Sequence, residues 1–599
     1  MSSTSAQTVH PVAIIGGGPV GLSASILLSL RKIPHILLER HTGTSIHPKA
    51  CGINQRTTEI FQLMGIYDEI RAVACPDDIK TRTAWYTSLG NQDANSVDGR
   101  EIWSRDAWGG GPDAEEYETH SPARYEILPQ IRLEPVLVKR AKSLSPESLR
   151  FGSEVTDLEE RGSHVALKVL ERETRATGEV LARFVIAADG GRGITDKLGI
   201  RWTGERDILE MASVHFRARI RERHPDPRNF ITWFSHPDAG GSIRTGYLYQ
   251  IGPWPFDSLE AQGIEEWVFA CARTPNDPAS FGRDDMLKRL RETLKLGELP
   301  VEIISLSHWN VQAISAERYR EGRVFLAGDA AHKIPPWGAL GMNTGIQDVQ
   351  NLIWKLQLAL DDEKYDHLLT SYDTERRPLG QRVGQSSLHN LRSHALVMDA
   401  ALGMKPEHSS DENRAAIMAY FNQSHPEHAA SRSAVEQASK VLDLEFKAPG
   451  LELGWFYPGL GGATEADHTS HFLEDGSLVS EMMLPSTVPG HNLPHVWVYQ
   501  HGQKLPIRDL IPFNKLLLLV DDQPGWSLLK TNLVGIQQVT KSDAGNSWSE
   551  PTGEWARLLD GNDAVLLRPD GIIAWRGSWH SSLPQLWPAI LDRALYISS

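Results

Sequence analysis

The feature that most constrains this chain is a glycine turn near its start, "VAIIGGGPVGLSASILLSLRKIPHILLER". Val12 to Ile15 is a short apolar run suited to a buried parallel strand. Gly16, Gly18 and Gly21 follow as GxGxxG, where the strand hands over to a helix. Gly16 permits the turn, Gly18 leaves room for a pyrophosphate, and Gly21 lets helix and sheet approach closely. The helix N-terminus offers unpaired N–H groups to the phosphates. Glu39, followed by Arg40, ends the next apolar run, where its carboxylate would accept ribose hydroxyls and repel a 2′-phosphate. That pattern predicts an α/β unit holding the adenosine of FAD or NAD, and by itself does not separate the two. No comparable second fingerprint follows: "GLGGAT" at Gly459 to Thr464 has no strand before it and no helix after it. One dinucleotide is therefore kept, and any second is met briefly.

Bulk properties narrow the field. A length of 599 residues exceeds one ordinary core, so several domains are expected. The nineteen uncharged residues from Val12 to Leu30 mimic a spanning segment, but their glycine spacing and the lack of a basic n-region argue against a membrane anchor or signal. A net charge of −15 without any long basic run argues against nucleic acid. Cys51, Cys75 and Cys271 show neither CxxC nor metal-type spacing, so no disulfide framework and no metal site is expected. The pattern suits a reducing compartment, the cytoplasm.

A second loop is as demanding as the first. "GRVFLAGDAAHKIPPWGALGMNTGIQDVQNLIWKL" passes from a buried strand through two prolines and several glycines into an amphipathic helix. Asp329, at the strand's carboxyl end, is placed for a sugar or ribityl hydroxyl. Pro335 and Pro336 stiffen the turn, while Gly338, Gly341 and Gly345 keep side chains away from whatever lies against the backbone. Ile346, Val349, Leu352, Ile353, Leu356 and Leu360 form the helix's apolar stripe. Its first turn, Gly341, Met342 and Asn343, can aim N–H groups at a ring carbonyl where negative charge collects.

These motifs resemble those of the class A, single-component FAD-dependent aromatic monooxygenases, in the branch of phenol hydroxylase and the aromatic-polyketide hydroxylases. The resemblance rests on GxGxxG with Glu39, on the Asp329 loop, and on "VIAADGGRGITDKLGI", where Asp189-Gly190 stands in the family's DG position and Gly193 replaces a commoner Ser or Thr. "HPKACGINQRTTEIFQLMGIYDEI" matches the second-helix region, with Lys49 where arginine is commoner and Arg56 opening the helix. "ILPQIRLEPVL" singles out Gln130 as a flavin-chain neighbour. "YDTERRP", Tyr372 to Pro378, closes the oxygenase portion, its arginines read as surface residues.

The implied fold is α/β: a Rossmann-like FAD-binding domain of the aromatic-hydroxylase type in three pieces, 9–79, 121–204 and 311–400. An antiparallel-sheet substrate domain is expected from 80–120 and 205–310. A linker and helix at 401–440 lead to a thioredoxin-like C-terminal domain at 441–599, where Asp570-Gly571 reads as a hairpin turn. Without CxxC that domain is expected to be packing or oligomer surface, and a homodimer is compatible with this reading.

The resemblance also implies the chemistry. FAD is bound, NADPH or NADH serves as transient reductant, and O2 and an aromatic substrate are the partners. The family's reduced flavin holds oxygen as a C4a-hydroperoxide, whose distal oxygen an electron-rich ring attacks; the same species performs Baeyer–Villiger or epoxidation chemistry. Cys51 stands where phenol hydroxylase has a catalytic aspartate, and a thiol is a poor base at neutral pH. Tyr247 and Tyr249, on one strand face, and Arg244 on the other are the candidates for contact with a phenolate. Trp233, His236 and His332 are weaker ones. Eighteen tryptophans and a wide, glycine-broken roof favour a bulky polycyclic or polyketide-type substrate over a small phenol.

Overall fold

The structure, a computed structural model, describes residues 8–90, 96–258, 263–542 and 547–597. Its first sheet is built around parallel strands in the order Val324–Leu326, Thr177–Ala187, Val9–Ile15, His35–Glu39, Leu149–Phe151. Strands buried on both faces need apolar residues at every position, and Val12, Ala13, Ile14, Leu37 and Leu38 are sealed from solvent. The helices Pro19–Leu30 and Gly341–Asp361 lie against this sheet, and Leu22, Ile26, Ile346, Val349, Leu352 and Ile353 join its core. The apolar segment from Val12 is thus half strand and half helix. Among the described residues, no helix is long and apolar enough to cross a membrane.

The second sheet has eight strands in the order His332–Lys333, Glu302–Ala316, Trp202–Arg217, Glu266–Ala272, Gly241–Gly252, Ile231–His236, Arg82–Tyr86, Glu101–Asp106. The expectation of a purely antiparallel roof is corrected at one seam: Ile231–His236 and Arg82–Tyr86 run parallel. These strands belong to separate excursions of the chain, so no hairpin obliges them to oppose each other. On the outer face, Leu248, Phe269 and Cys271 pack with Met286, Leu290 and Leu294 of the helix Arg283–Leu294. On the inner face, Trp85, Trp233, Met211 and Ala270 meet Leu391 and Met398 of the long helix Asp366–Ala401. Two further helices, Ser410–Phe421 and His428–Val441, occupy the segment expected to hold a linker and a helix.

The C-terminal domain holds a mixed seven-stranded sheet. Leu516–Val520 pairs in parallel with Val534–Thr540 and antiparallel with Ala564–Leu567, which forms a hairpin with Ile573–Gly577. Strand alternation divides its core. Leu516, Leu518 and Val520 face Trp587 of the helix Leu583–Ala594, while Leu517 and Leu519 share a cluster with Trp555 of Glu554–Leu559. In the hairpin turn, Gly571 takes the left-handed φ of +80° that glycine tolerates.

A buried ionic cluster fastens this domain to the first. Arg568 donates to both carboxylate oxygens of Glu375, at 2.6 and 2.9 Å, and also pairs with Asp570. Glu375 accepts from Lys355 at 2.8 Å, and Trp354 donates its indole N–H to Asp570 at 3.2 Å. Arg56 donates to the Asp570 carbonyl, and Arg508 pairs with Glu59 at 3.2 Å. The surface reading of "YDTERRP" fails for Arg376. It is fully buried, donating to Asp348 at 2.8 Å and to the Thr344 carbonyl at 3.1 Å, because the helix carrying it continues through Pro378 across the sheet.

Candidate functional site

The three separated motifs meet at backbone contact. Ala188 N–H donates to the Ile15 carbonyl at 2.8 Å, and Ala327 N–H donates to that of Ala187 at 2.9 Å. A Cβ on Gly16, whose φ is +108°, would stand 2.2 Å from the Ala188 carbonyl oxygen. One on Gly191 would stand 2.5 Å from that of Asp329, and one on Gly345 would stand 2.9 Å from the Gly328 Cα. Gly21 sits 2.0 Å, by the same construction, from the Gly16 carbonyl. Gly18 is different: a Cβ there meets nothing within 4 Å. It opens onto free space at the start of the helix, where a diphosphate needs passage.

The polar groups around this opening divide by availability. Glu39 accepts the Gly17 N–H at 2.6 Å on one oxygen and the His41 N–H at 2.7 Å on the other, which fixes its carboxylate while leaving lone pairs for hydroxyl donors. Arg40 is half-buried and donates to the His41 ring at 3.1 Å. Asp329 is exposed to the cleft, yet desolvation by the surrounding protein raises it above the ordinary carboxylate range, against the pull of His332, Lys333 and Lys49. That combination marks a side chain on the wall of a deep cleft. Gln130 heads the helix Gln130–Leu144 and donates its amide to Glu134 at 2.6 Å. Lys49 is exposed, with a left-handed φ of +49°.

Two expected ligands are engaged within the protein. The Asp189 carboxylate accepts N–H groups from Gly191, Arg192 and Ile194 at 3.0–3.3 Å, so it shapes its own turn while Oδ1 keeps room for a further donor. The Asn343 side chain accepts from Asn54 N–H at 3.0 Å and donates to the Gly52 and Ala339 carbonyls at 3.0 and 2.7 Å. It ties the Gly52–Ile53 strand to the proline loop and has no amide group free. Sequence reasoning expected the cofactor contact from the backbone N–H groups of this first turn. There the donors on offer are the N–H groups of Gly341, Met342 and Asn343, ahead of the first intrahelical bond from Thr344 N–H to Leu340 at 2.9 Å. Pro336 is exposed on the turn, and Ala339 is held at φ +55° beside Gly52. Behind the loop, Asp348 accepts from Gly328 N–H at 3.1 Å and bonds His332 at 2.8 Å, so His332 is committed to fastening the turn.

An aromatic chamber adjoins the proline loop, whose Trp337 joins its wall. Cross-strand register sets Trp103, Trp85, Trp233 and Tyr247 side by side across four strands. Ring centroids lie 6.5 Å apart for Trp85 and Trp233, 4.5 Å for Trp233 and Tyr247, and 6.1 Å for Tyr247 and Tyr249. The wall continues through Phe230 and Trp108 to Tyr125, with Cys51 packed among them. Burial pushes the Tyr247 and Tyr249 phenols up, so both remain protonated donors. It also pushes the Cys51 thiol to about 12, which keeps it from acting as a thiolate base. Arg244 is exposed and lies in the irregular stretch of its strand between Gly241 and Gly246, where the register with Ile231–His236 shifts, so strand parity does not carry over to it from Tyr247 and Tyr249. His236 is bound to Asp98 at 2.7 Å and is not brought to the site.

Sequence reasoning missed the residues closing the chamber. His394 packs against Trp233 with its ring tilted by 51° and 3.9 Å between centroids, and bonds Glu445 at 2.7 Å. Phe446 packs against Trp85 and Trp108, and its carbonyl accepts the Trp108 N–H at 2.8 Å. The signal for His394 was present: it lies on the apolar stripe of Leu388, Leu391 and Met398, where a polar residue is out of place. Glu445 carried no such signal.

Comparison with known proteins accounts for both the cleft and the C-terminal domain. Residues 9–387 match the family model described as FAD binding domain, and residues 486–594 match that described as aromatic-ring hydroxylase, C-terminal. A putative polyketide hydroxylase of Streptomyces halstedii is 30% identical, over 95% of this chain and 94% of that one. Phenol 2-monooxygenase of Pseudomonas sp. (strain EST1001) is 30% identical, over 94% and 89%. Among solved structures, the flavin-dependent monooxygenase PieE in complex with FAD and substrate superposes with a TM-score of 0.86 at 28% identity, covering 99% of this chain and 100% of that one.

Proposed function

Since the chain belongs to the class A FAD-dependent aromatic monooxygenases related to the phenol and polyketide hydroxylases, we propose that its substrate is a bulky polycyclic, polyketide-type phenol. The enzyme is an FAD-dependent monooxygenase that hydroxylates a phenolic or polyketide-type aromatic with O2. The observation that carries the substrate reading is the chamber, a wall of indole and phenol rings spanning several strands and reaching the proline loop. Flat apolar surface of that extent pairs with fused rings by stacking.

The residues present fit FAD. Gly18 leaves the diphosphate lane open, Glu39 offers fixed acceptors to the ribose, and Asp329 stands in the cleft for the ribityl chain. The first-turn N–H groups of Gly341, Met342 and Asn343 would supply partial positive charge to the ring carbonyls of a bound flavin. When bound, the flavin accepts hydride and activates O2. The protein orients the aromatic ring, holds its hydroxyl with Tyr247 and Tyr249 as donors, and keeps water from the chamber.

NADPH, with NADH as the alternative, is the reductant in this reading. Glu39 supports a transient visit, because it repels a 2′-phosphate from the resident site. The C-terminal domain is read as thioredoxin-like; the parallel strand pair, the following hairpin and the terminal helix support that arrangement.

The test is to purify the protein, identify its flavin, and score phenol, 1-naphthol and 1,8-dihydroxyanthraquinone for stimulated NADPH and NADH oxidation with an oxygenated product. Product from the fused rings at higher kcat/KM than from phenol supports the reading. A preference for phenol sinks it.

A further inference from the structure

We infer that His394, held by Glu445, is the base that removes the phenolic proton of the aromatic substrate. The inference rests on the monooxygenase reading above and names the residue that this reading lacks. Neither Cys51, whose thiol stays protonated, nor Arg244, whose guanidinium keeps its proton, can serve as a base.

The geometry is specific. His394 comes from the long helix Asp366–Ala401, and its ring lies 3.9 Å from the Trp233 centroid and 5.7 Å from that of Trp85. It therefore sits against the indole row, with Tyr247 4.5 Å beyond Trp233. Nδ1 lies 2.7 Å from Glu445 Oε2, and both residues are buried. A carboxylate at that distance selects the tautomer with its proton on Nδ1, leaving Nε2 with a lone pair. Among the described residues no hydrogen bond to Nε2 is made. It is also absent from the sealed, unpaired nitrogens that include Nδ1 of His332 and of His120, so it is not closed off, on a ring packed against the chamber's indoles. A fixed ring, a carboxylate behind it and an unpartnered nitrogen in front form a base–orienter pair.

The step balances without an added reagent. The substrate O–H bond breaks, an N–H bond forms at Nε2, and the imidazolium is compensated by the Glu445 carboxylate. The electron pair left on the phenolate oxygen delocalises to the ring carbon that takes oxygen. Three titratable groups face this imidazole: Glu445 from Asp443–Phe446, Asp399 one turn further along the same helix, and Tyr247 from the roof. Asp399 is occupied, accepting from the Ser242 N–H and hydroxyl, both at 2.7 Å, and from Ser235. Tyr247 is protonated and serves as donor. Only the His394–Glu445 pair is set to take a proton. Glu445 acts through His394 and is a positioning residue.

The experiment uses the FAD-loaded protein and 4-nitrophenol, whose phenolate has its own visible band. The bound probe is titrated with pH in wild type, in His394→Asn and His394→Gln, and in Glu445→Gln and Glu445→Asp. The wild type should ionise the bound phenol below its solution pKa. Both His394 variants should lose this and lower neutral-pH hydroxylation of the preferred fused-ring phenol by roughly 10²- to 10⁴-fold, the span of general-base contributions. Their rates should climb about tenfold per pH unit toward the substrate's own pKa, and added imidazole should restore part of them. Glu445→Asp should retain more of the ionisation than Glu445→Gln. FAD content and melting temperature report whether each variant has folded. An absence of ionised probe in wild type, or equal ionisation in the His394 variants, overturns the inference. A wild-type protein that takes up no FAD would instead overturn the monooxygenase reading.

Discussion

Replacing Arg568 by Met removes the centre of the cluster that joins the C-terminal domain to the flavin domain. The guanidinium is wholly buried and bonds both oxygens of Glu375 as well as Asp570. Without it Glu375 keeps the buried ammonium of Lys355 and neutral donors from Asn351 and Tyr596, while Asp570 keeps the Trp354 indole and the unbonded charges of Arg508 and Arg31. Leaving a buried charge unpaired costs about 3–5 kcal/mol, or roughly 10²- to 10⁴-fold in the folded-to-unfolded ratio. That is a large share of the 5–15 kcal/mol typical of a domain. Arg568→Met combined with Glu375→Gln restores neutrality between Lys355 and Asp570, and should regain about 1–3 kcal/mol. Urea unfolding followed by tryptophan emission measures both. The acid limb supplies an independent check. Burial pushes Glu375 up, but Arg568 and Lys355 more than offset this and hold it well below the ordinary 4.5. A folded pKa below the unfolded one means stability present above about pH 4.5 and lost as pH falls further. In Arg568→Met this acid loss should shrink. A single variant within 1 kcal/mol of wild type, or a double variant no better than the single, would refute the argument that this cluster holds the domains together.

Gly16→Ala should lower the melting temperature and abolish flavin uptake, because its Cβ would lie 2.2 Å from the Ala188 carbonyl oxygen at φ +108°. Gly18→Val, entering open space, should leave the melting temperature of the cofactor-free protein unchanged while flavin absorbance is lost. Cys51→Ser should keep hydroxylation within about threefold across neutral pH, since a thiol pushed to about 12 does no base chemistry; steady-state rates check this. Glu452 is buried with Oε2 unpaired and is pushed up to about 8 by burial, so folding stability should fall as pH rises from about 4.5 toward 8. Glu452→Gln should flatten that slope and stabilise the protein at neutral pH by about 1–3 kcal/mol in urea titrations.

The chain's first motif was legible because its parts are close in sequence. Strand, glycines, helix and Glu39 obey local geometry, and periodicity alone placed them. The Asp329 loop was legible for the same reason. What pattern could not supply was the use of each polar group. The Asn343 side chain is taken by backbone reached only through the fold, at Gly52 and Asn54, whereas Asp189 is engaged by its own turn at Gly191 and Arg192. Arg376 looked like a surface arginine beside a proline, but the residue that buries it, Asp348, lies 28 positions earlier. For Arg244 strand parity gave no sure guide, because the register of its strand shifts between Gly241 and Gly246. Arg568 and Glu375 are 193 positions apart, and nothing in either neighbourhood announces the other.

The segment between the helices and the C-terminal domain turns out to belong to the chamber. Glu445 bonds His394, Phe446 closes against Trp85 and Trp108, and Lys447 pairs with Asp113 at 2.8 Å and with Glu116 at 2.6 Å. A few residues on, Gly450 N–H donates to the Ser480 carbonyl at 3.0 Å, within the chain leading to the C-terminal sheet. That sheet is anchored in turn by Arg568 to Glu375, on the same helix that carries His394. The long helix therefore meets the C-terminal domain near one end and the aromatic wall near the other. The strap from Asp443 returns to it from the opposite side. Glu445 behind the imidazole and Phe446 against the indoles thus sit on one strap, which Gly450 joins to the segment leading into the C-terminal sheet.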